Sequence, residues 1–184
     1  MTLILLISGS LRRGSTNTAL LRTVQQVAPE PITTALYDGL ASLPHFDPDL
    51  DRDPLPAPIE QLRTAIHEAD AILFCTPEYA GALPGSFKNL LDWTIGDERP
   101  RAIYHKPVAW INVSASITGA ADAHESLRKV LGYAHAEVVA EACLHIPVNR
   151  NEIDKDGLIS DSAIQGDTLN VLDILHRTVE QRNQ

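Results

Sequence analysis

"LILLISGSLRRGSTNTALL", residues 3–21, runs without a break from five apolar residues through a crowd of small polar ones into a helical pattern. Gly9 and Gly14, with Arg12 and Arg13, stand among Ser8, Ser10, Ser15, Thr16, Asn17 and Thr18. A strand that ends in small polar residues and then becomes a helix is where open parallel sheets bind ligands, because backbone N–H groups and the helix dipole converge there. An anion is the expected guest. The loop has no lysine and no G-x-x-x-x-G-K-[ST], and Gly9 and Gly14 lie five apart, so neither common nucleotide fingerprint is present. G-x-S-x-G is absent as well, which excludes a nucleophile elbow. Neutral hydroxyls, a helix start and Arg12 suit a dianionic monophosphate held without a metal. The plainer alternative is that Ser15, Thr16 and Asn17 cap the helix while both arginines are solvated.

Outward from this stretch, short apolar runs at 3–7, 32–37, 71–75, 108–113 and 138–146 read as strands bounded by turn formers. Helical spacing predicts helices over 17–28, 58–68, 85–95, 121–133 and about 162–181. Strands apolar on both faces that alternate with helices indicate a parallel sheet covered on each side. Five β-α repeats fit an α/β, flavodoxin-like, doubly wound sheet of five parallel strands in the order 2-1-3-4-5. At 184 residues the chain is long enough for one well-buried domain, read here as spanning 1–184.

A formal charge of -9, with eleven arginines and four lysines scattered along the chain, argues against nucleic acid and anionic membrane as partners. No apolar run approaches the length of a membrane span, and Cys75 and Cys143 sit in apolar surroundings without metal-ligand spacing. The expectation is a cytoplasmic protein without a metal site. "DKDG" at 154–157 lacks the spacing and following glutamate of an EF-hand, and the seven histidines are dispersed.

Two further loops should meet the first at the carboxyl ends of the strands. "TPEYAGALPGSFKNLLDW", 76–93, leaves a buried strand with Pro77 to stiffen the exit, Tyr79 to offer a flat ring and Gly81 to let backbone approach a planar ligand. "SASITGAADA", 114–123, brings small residues and Gly119 ahead of another helix. A third segment, "LPHFDPDLDRDPLPAP" at 43–58, is a long proline-rich loop expected to pack on a partner subunit or to border the site, with a mobile connector as the alternative.

Together, "GSLRRGSTN", "TPEYAGALPGSFKNLLDW" and the lysine-proline entry "HKPVAWINVSASITGA" resemble the NADPH-dependent FMN reductase family, in family order and along nearly the whole chain. The resemblance implies that Ser10, Arg12, Ser15, Thr16, Asn17 and Thr18, with neighbouring N–H groups, hold the FMN phosphate. It implies that Pro77, Glu78, Tyr79, Ala80 and Gly81 line the isoalloxazine ring, largely through backbone, and that Ser114 and Gly119 approach its far side. Ala80 departs from the family, many of whose members carry asparagine there. The implied chemistry is hydride transfer from NADPH or NADH to FMN, then electron delivery to a quinone-like or other small acceptor. The cofactor does the reaction, so no catalytic acid or base is assigned. The family also implies a homodimer or homotetramer, with the proline-rich loop and Trp93 as interface pieces. Two rivals remain, the first on the same fold and the second from another class. A flavodoxin carrier would bind FMN without oxidising NAD(P)H, and a phospho-receiver would need acidic residues after strand 1, which "LISGS" lacks.

Overall fold

The computed structural model describes residues 1–99 and 102–182. Strands β1 (Thr2–Ser8), β2 (Ile32–Tyr37), β3 (Ala71–Cys75), β4 (Pro107–Asn112), β5 (Glu137–Val138) and β6 (Leu144–His145) alternate with helices α1 (Thr16–Val27), α2 (Ala57–Glu68), α3 (Gly85–Ile95), α4 (Ala121–Tyr133) and α5 (Ser162–Arg182). All pairs are parallel, and the sheet runs β2-β1-β3-β4-β5, with β6 also on β4. This is the flavodoxin-like order expected.

The fifth strand differs from its expectation. Val138 lies opposite Val108 and Leu144 opposite Ile111, so the edge chain carries three more residues than β4 has partners for over the same span. The excess is taken up in a 3-10 turn, Ala140–Ala142, and the single run 138–146 becomes two two-residue strands.

Alternation along the strands builds two cores. Ile4, Leu6, Leu73, Cys75, Ala109 and Ile111 face α1 and α5, where they meet Leu20, Leu21, Val24, Val171, Leu172 and Leu175. Leu5, Ile7, Ile72, Phe74, Val108 and Trp110 face the other way, onto Ile59, Leu62, Phe87, Leu90, Trp93, Leu127 and Leu131 of α2, α3 and α4. Strands buried on both faces require this near-continuous apolar composition. Asp161 starts α5 by accepting the N–H groups of Ala163 and Ile164 at 2.9 and 3.0 Å. No helix among the described residues is long and apolar enough to cross a membrane.

The proline-rich loop is clamped by its own chain. The Asn89 side chain accepts from the Phe46 N–H at 2.7 Å and donates to the Pro44 carbonyl at 2.8 Å, and the Trp93 indole N–H donates to the same carbonyl at 2.9 Å. Phe46 stands edge-on to Trp93 with centroids 5.0 Å apart. Further along, buried Arg63 pairs with Asp51 at 2.7 Å and donates twice to the Trp93 carbonyl. The inner face of the loop is therefore occupied by α2 and α3. Trp93 is fully buried, which corrects its expected place at an interface: the indole serves as the anvil on which the loop is folded.

Candidate functional site

At the carboxyl ends of β1, β3 and β4 lies a cavity of about 550 Å³, within the range of small-molecule sites. Its walls come from four places: Thr16 and Asn17 at the start of α1; Thr76, Pro77 and Glu78 after β3; Val113, Ser114, Ser116 and Thr118 after β4; and Val148, Asn149 and Arg150 after β6. Five of the expected residues, Thr16, Asn17, Pro77, Glu78 and Ser114, are thus brought together. Ser10, Arg12, Ser15, Thr18, Tyr79, Ala80, Gly81 and Gly119 lie on the same loops outside the cavity lining.

The first loop reaches its neighbour by close contact. The Gly9 N–H donates to the Cys75 carbonyl at 2.9 Å, and a Cβ on Gly9 would lie 2.2 Å from Thr76 Oγ1 and 2.9 Å from the Phe87 ring. Only glycine fits there. From Gly9 the chain turns on its own hydroxyls, Ser8 Oγ accepting from the Ser10 N–H and Ser10 Oγ from the Arg12 N–H, both at 3.3 Å. Ser8 and Thr18 share a hydroxyl–hydroxyl bond of 2.8 Å, which engages Thr18 within the protein. Ser15 occupies the N-cap position of α1 but makes no side-chain capping bond. Among the described residues, the first-turn N–H groups of Thr16, Asn17 and Thr18 have no acceptor. Helix-start N–H groups without partners, at the positive end of the dipole, are donors for an anion. Capping is therefore not what the serines and threonines accomplish here. Arg12 is exposed beside them.

Asn17 is buried, and its Oδ1 accepts from the Cys75 thiol at 3.3 Å. That contact leaves the Nδ2 hydrogens as the free donors of the side chain. Burial pushes the Cys75 thiol far up, so it stays protonated and continues to donate.

The second loop is a tight reversal. Tyr79 and Ala82 exchange both backbone hydrogen bonds, at 3.0 and 3.1 Å, around Ala80 and Gly81, which have φ of 52° and 69°. Two consecutive residues at positive φ define a turn that favours Asn-Gly. Glu78, expected along the ring, is half-buried, and its Oε2 accepts from the Ala123 N–H at 3.0 Å. The carboxylate caps α4 and ties the second loop to the third.

In the third loop, Asn112 braces both ends: its Oδ1 accepts from the Ser114 N–H at 3.0 Å and its Nδ2 donates to the Gly119 carbonyl. Gly119 (φ 60°) and Ala120 (φ 51°) both take left-handed backbone before α4 starts. His145 Nε2 bonds the Ser114 carbonyl at 2.8 Å, and its ring would meet a Cβ on Gly119 at 3.2 Å. Ser114, Ser116 and Thr118 form a row of linked hydroxyls along the wall, at 2.8 and 3.2 Å. Each of the three loops also presents one exposed large apolar side chain, Leu11, Tyr79 and Ile117.

Sequence reasoning missed Ser116, Thr118, Val148, Asn149 and Arg150 as lining residues. The first two lie in a loop already singled out. The last three follow the bulged edge strand and carry no motif.

The donor set fits a flavin mononucleotide: partnerless helix-start amides, an oriented carboxamide and neutral hydroxyls for a phosphate and polyol, and backbone-rich turns for a planar ring. The family model for NADPH-dependent FMN reductase matches residues 2–149. An NAD(P)H-dependent FMN reductase of Pseudomonas aeruginosa is 33% identical over 157 residues, covering 84% of this chain and 83% of the relative. A quinone reductase of Escherichia coli is 31% identical over 147 residues, 79% of this chain and 78% of the relative. Among solved structures, the flavoenzyme NAD(P)H:(acceptor) oxidoreductase of Paracoccus denitrificans superposes with a TM-score of 0.82 at 28% identity, covering 96% of this chain and 98% of that one. On the extent of the family match and of these similarities, the chain belongs to the NADPH-dependent FMN reductase family and so to the flavin-dependent oxidoreductases.

Proposed function

We propose that this protein uses FMN to oxidise NADPH or NADH and passes the electrons to a quinone-like or other small acceptor. The observation that carries the reading is the start of α1, where the first-turn N–H groups lack acceptors among the described residues and buried Asn17 accepts from the Cys75 thiol. Helix starts left open in this way recognise phosphate. Ser10, Arg12, Ser15, Thr16, Asn17 and Thr18 are assigned to the phosphate and polyol end. Pro77, Glu78, Tyr79, Ala80 and Gly81 are assigned to the ring, with Ser114 and Gly119 at its other edge.

When bound, FMN supplies the hydride-accepting ring and the relay of electrons to the second substrate. The chain supplies position. Glu78 holds the second loop against α4, the Tyr79–Ala82 pair fixes the turn beyond it, and Asn112 and His145 fix the third loop. Backbone N–H groups set rigidly beside the ring would stabilise negative charge that grows there. No side chain of the cavity is needed as an acid or base. The reading includes a cytoplasmic protein, folded as one domain over 1–184, acting as a homodimer or homotetramer.

The test is the visible spectrum of the purified protein with FMN, followed without oxygen on adding NADPH and then NADH. Loss of the flavin bands supports the reading. Bound flavin that neither nicotinamide bleaches would identify a carrier instead, and absence of flavin binding would remove the cofactor assignment.

A further inference from the structure

Arg150 lies just beyond the segment matched by the family model, in the turn after β6, and lines the same cavity as Thr16 and Asn17. It is the one cationic side chain among the described lining residues. Two carboxylates stand in the neighbourhood, and neither is paired with it among the described residues. Glu152, two residues on, accepts from the Asn149 N–H while its own N–H donates to the Asn149 carbonyl, and Glu78 accepts from the Ala123 N–H. Among the described residues the Arg150 guanidinium has no ion-pair or hydrogen-bond partner.

Its mount is firm. The Ile146 N–H donates to the Asn112 carbonyl at 2.8 Å and the Val148 N–H to the Val113 carbonyl at 3.1 Å, so the segment leading to Arg150 is laced to the end of β4. Val148 is buried in the α1 and α5 core, and the Asn149–Glu152 bonds set the backbone of the next turn. A guanidinium on a fixed backbone, with its fork of donors free, is suited to the oxygens of a phosphate. In a chain of net charge -9, a dianion needs cations close by to offset the surrounding field.

We infer that Arg150 is a phosphate-binding residue of the cofactor site, supplying from the β6–α5 loop a second cation, with Arg12, for the FMN phosphate held at the start of α1. The inference rests on the FMN reading above and adds a residue from an element outside the three loops.

Riboflavin, which lacks the phosphate, separates the two. Flavin-free wild-type protein, Arg150→Gln and Arg150→Lys are titrated with FMN and with riboflavin by quenching of flavin fluorescence, at low and high salt, with circular dichroism as the check on folding. Arg150→Gln should weaken FMN binding by about tenfold, the scale of one lost charge-assisted contact, while riboflavin binding holds. Arg150→Lys should keep part of the FMN preference, and the salt dependence of FMN binding should become shallower in Arg150→Gln. An unchanged ratio of FMN to riboflavin affinity in Arg150→Gln overturns the inference while the cofactor reading stands. So does an unchanged ratio combined with a rise in the KM for NADPH relative to NADH, which would assign the arginine to the dinucleotide. If the unaltered protein binds neither flavin, the cofactor reading falls and this inference with it.

Discussion

The thiol of Cys75, at the end of β3, donates a hydrogen bond to Asn17 Oδ1 in the first turn of α1, 3.3 Å away and out of contact with solvent. A cysteine that the sequence presents as one more apolar strand residue thus orients a polar side chain of the site. Removing the donor should let the carboxamide turn. Cys75→Ala is expected to weaken FMN binding by roughly tenfold or less, in line with one net hydrogen bond of about 1 kcal/mol. Cys75→Ser, which keeps a donor, should lose less. Equal losses in the two variants by fluorescence titration would show that the thiol acts through volume alone.

The reversal at Ala80–Gly81 sets a non-glycine residue at φ 52°. Asparagine tolerates left-handed backbone better than alanine. Ala80→Asn should therefore stabilise the protein by a few tenths to about 1 kcal/mol, read as a higher Tm, while Gly81→Ala should lower it. A Tm that falls in Ala80→Asn would mean that the side chain meets an obstacle in the folded protein.

Gly9→Ala forces a methyl group to 2.7 Å from Thr76 Cβ as well as 2.2 Å from its hydroxyl. Overpacking of this kind costs about 1–3 kcal/mol. Thr76→Ser keeps both offending atoms and should not rescue the variant in denaturant unfolding, whereas Thr76→Gly removes both and should recover part of the loss. Rescue by serine would contradict the contact.

His124 is buried in the first turn of α4, with Nδ1 bonded to the Ala120 carbonyl at 2.8 Å and Nε2 without a partner among the described residues. Burial lowers its pKa, outweighing the opposing effects of the Ala120 carbonyl and of Glu78, with His145 acting in the same downward sense. A histidine kept neutral by the fold binds its proton more readily when unfolded. The stability it contributes is full above the unfolded value of about 6.5 and declines as pH falls below it. His124→Gln should flatten the loss of stability between about pH 6.5 and 5. An unaltered slope in denaturant titrations across that window would assign the acid sensitivity to other groups.

The fold was legible because each strand is short, apolar on both faces and closed by turn formers. β2, β3, α3 and α4 fall on the residues expected. What escaped depends on partners distant in sequence. The run 138–146 looks like one strand until β4 supplies the register that leaves three residues over. Trp93 looks available until Pro44 and Phe46, nearly fifty positions earlier, fold onto it. The first-loop hydroxyls could be read for their chemistry but not for their allegiance: Thr18 turns to Ser8, and Ser15 leaves the helix start open. Arg150 carries no local signal at all, since its place is set by the pairing of β6 with β4.

Asn89 should be tested for its clamp on the proline-rich loop. Asn89→Ala removes the bonds to the Phe46 N–H and the Pro44 carbonyl together. Faster proteolysis within 43–58, with FMN affinity unchanged, is the expected result. Cleavage at the wild-type rate would show that Trp93 and Arg63 suffice.

The bulged fifth strand also bears on how the molecule behaves in a crowd. An open parallel sheet ends in a row of backbone groups able to recruit a strand from another chain, and a long straight edge invites such growth. Here the far edge offers two residues, a 3-10 turn that swings the backbone out of line, and two residues more. No extended segment can stay in register across that interruption. The three surplus residues that break the strand thereby guard this side of the sheet against edge-to-edge aggregation.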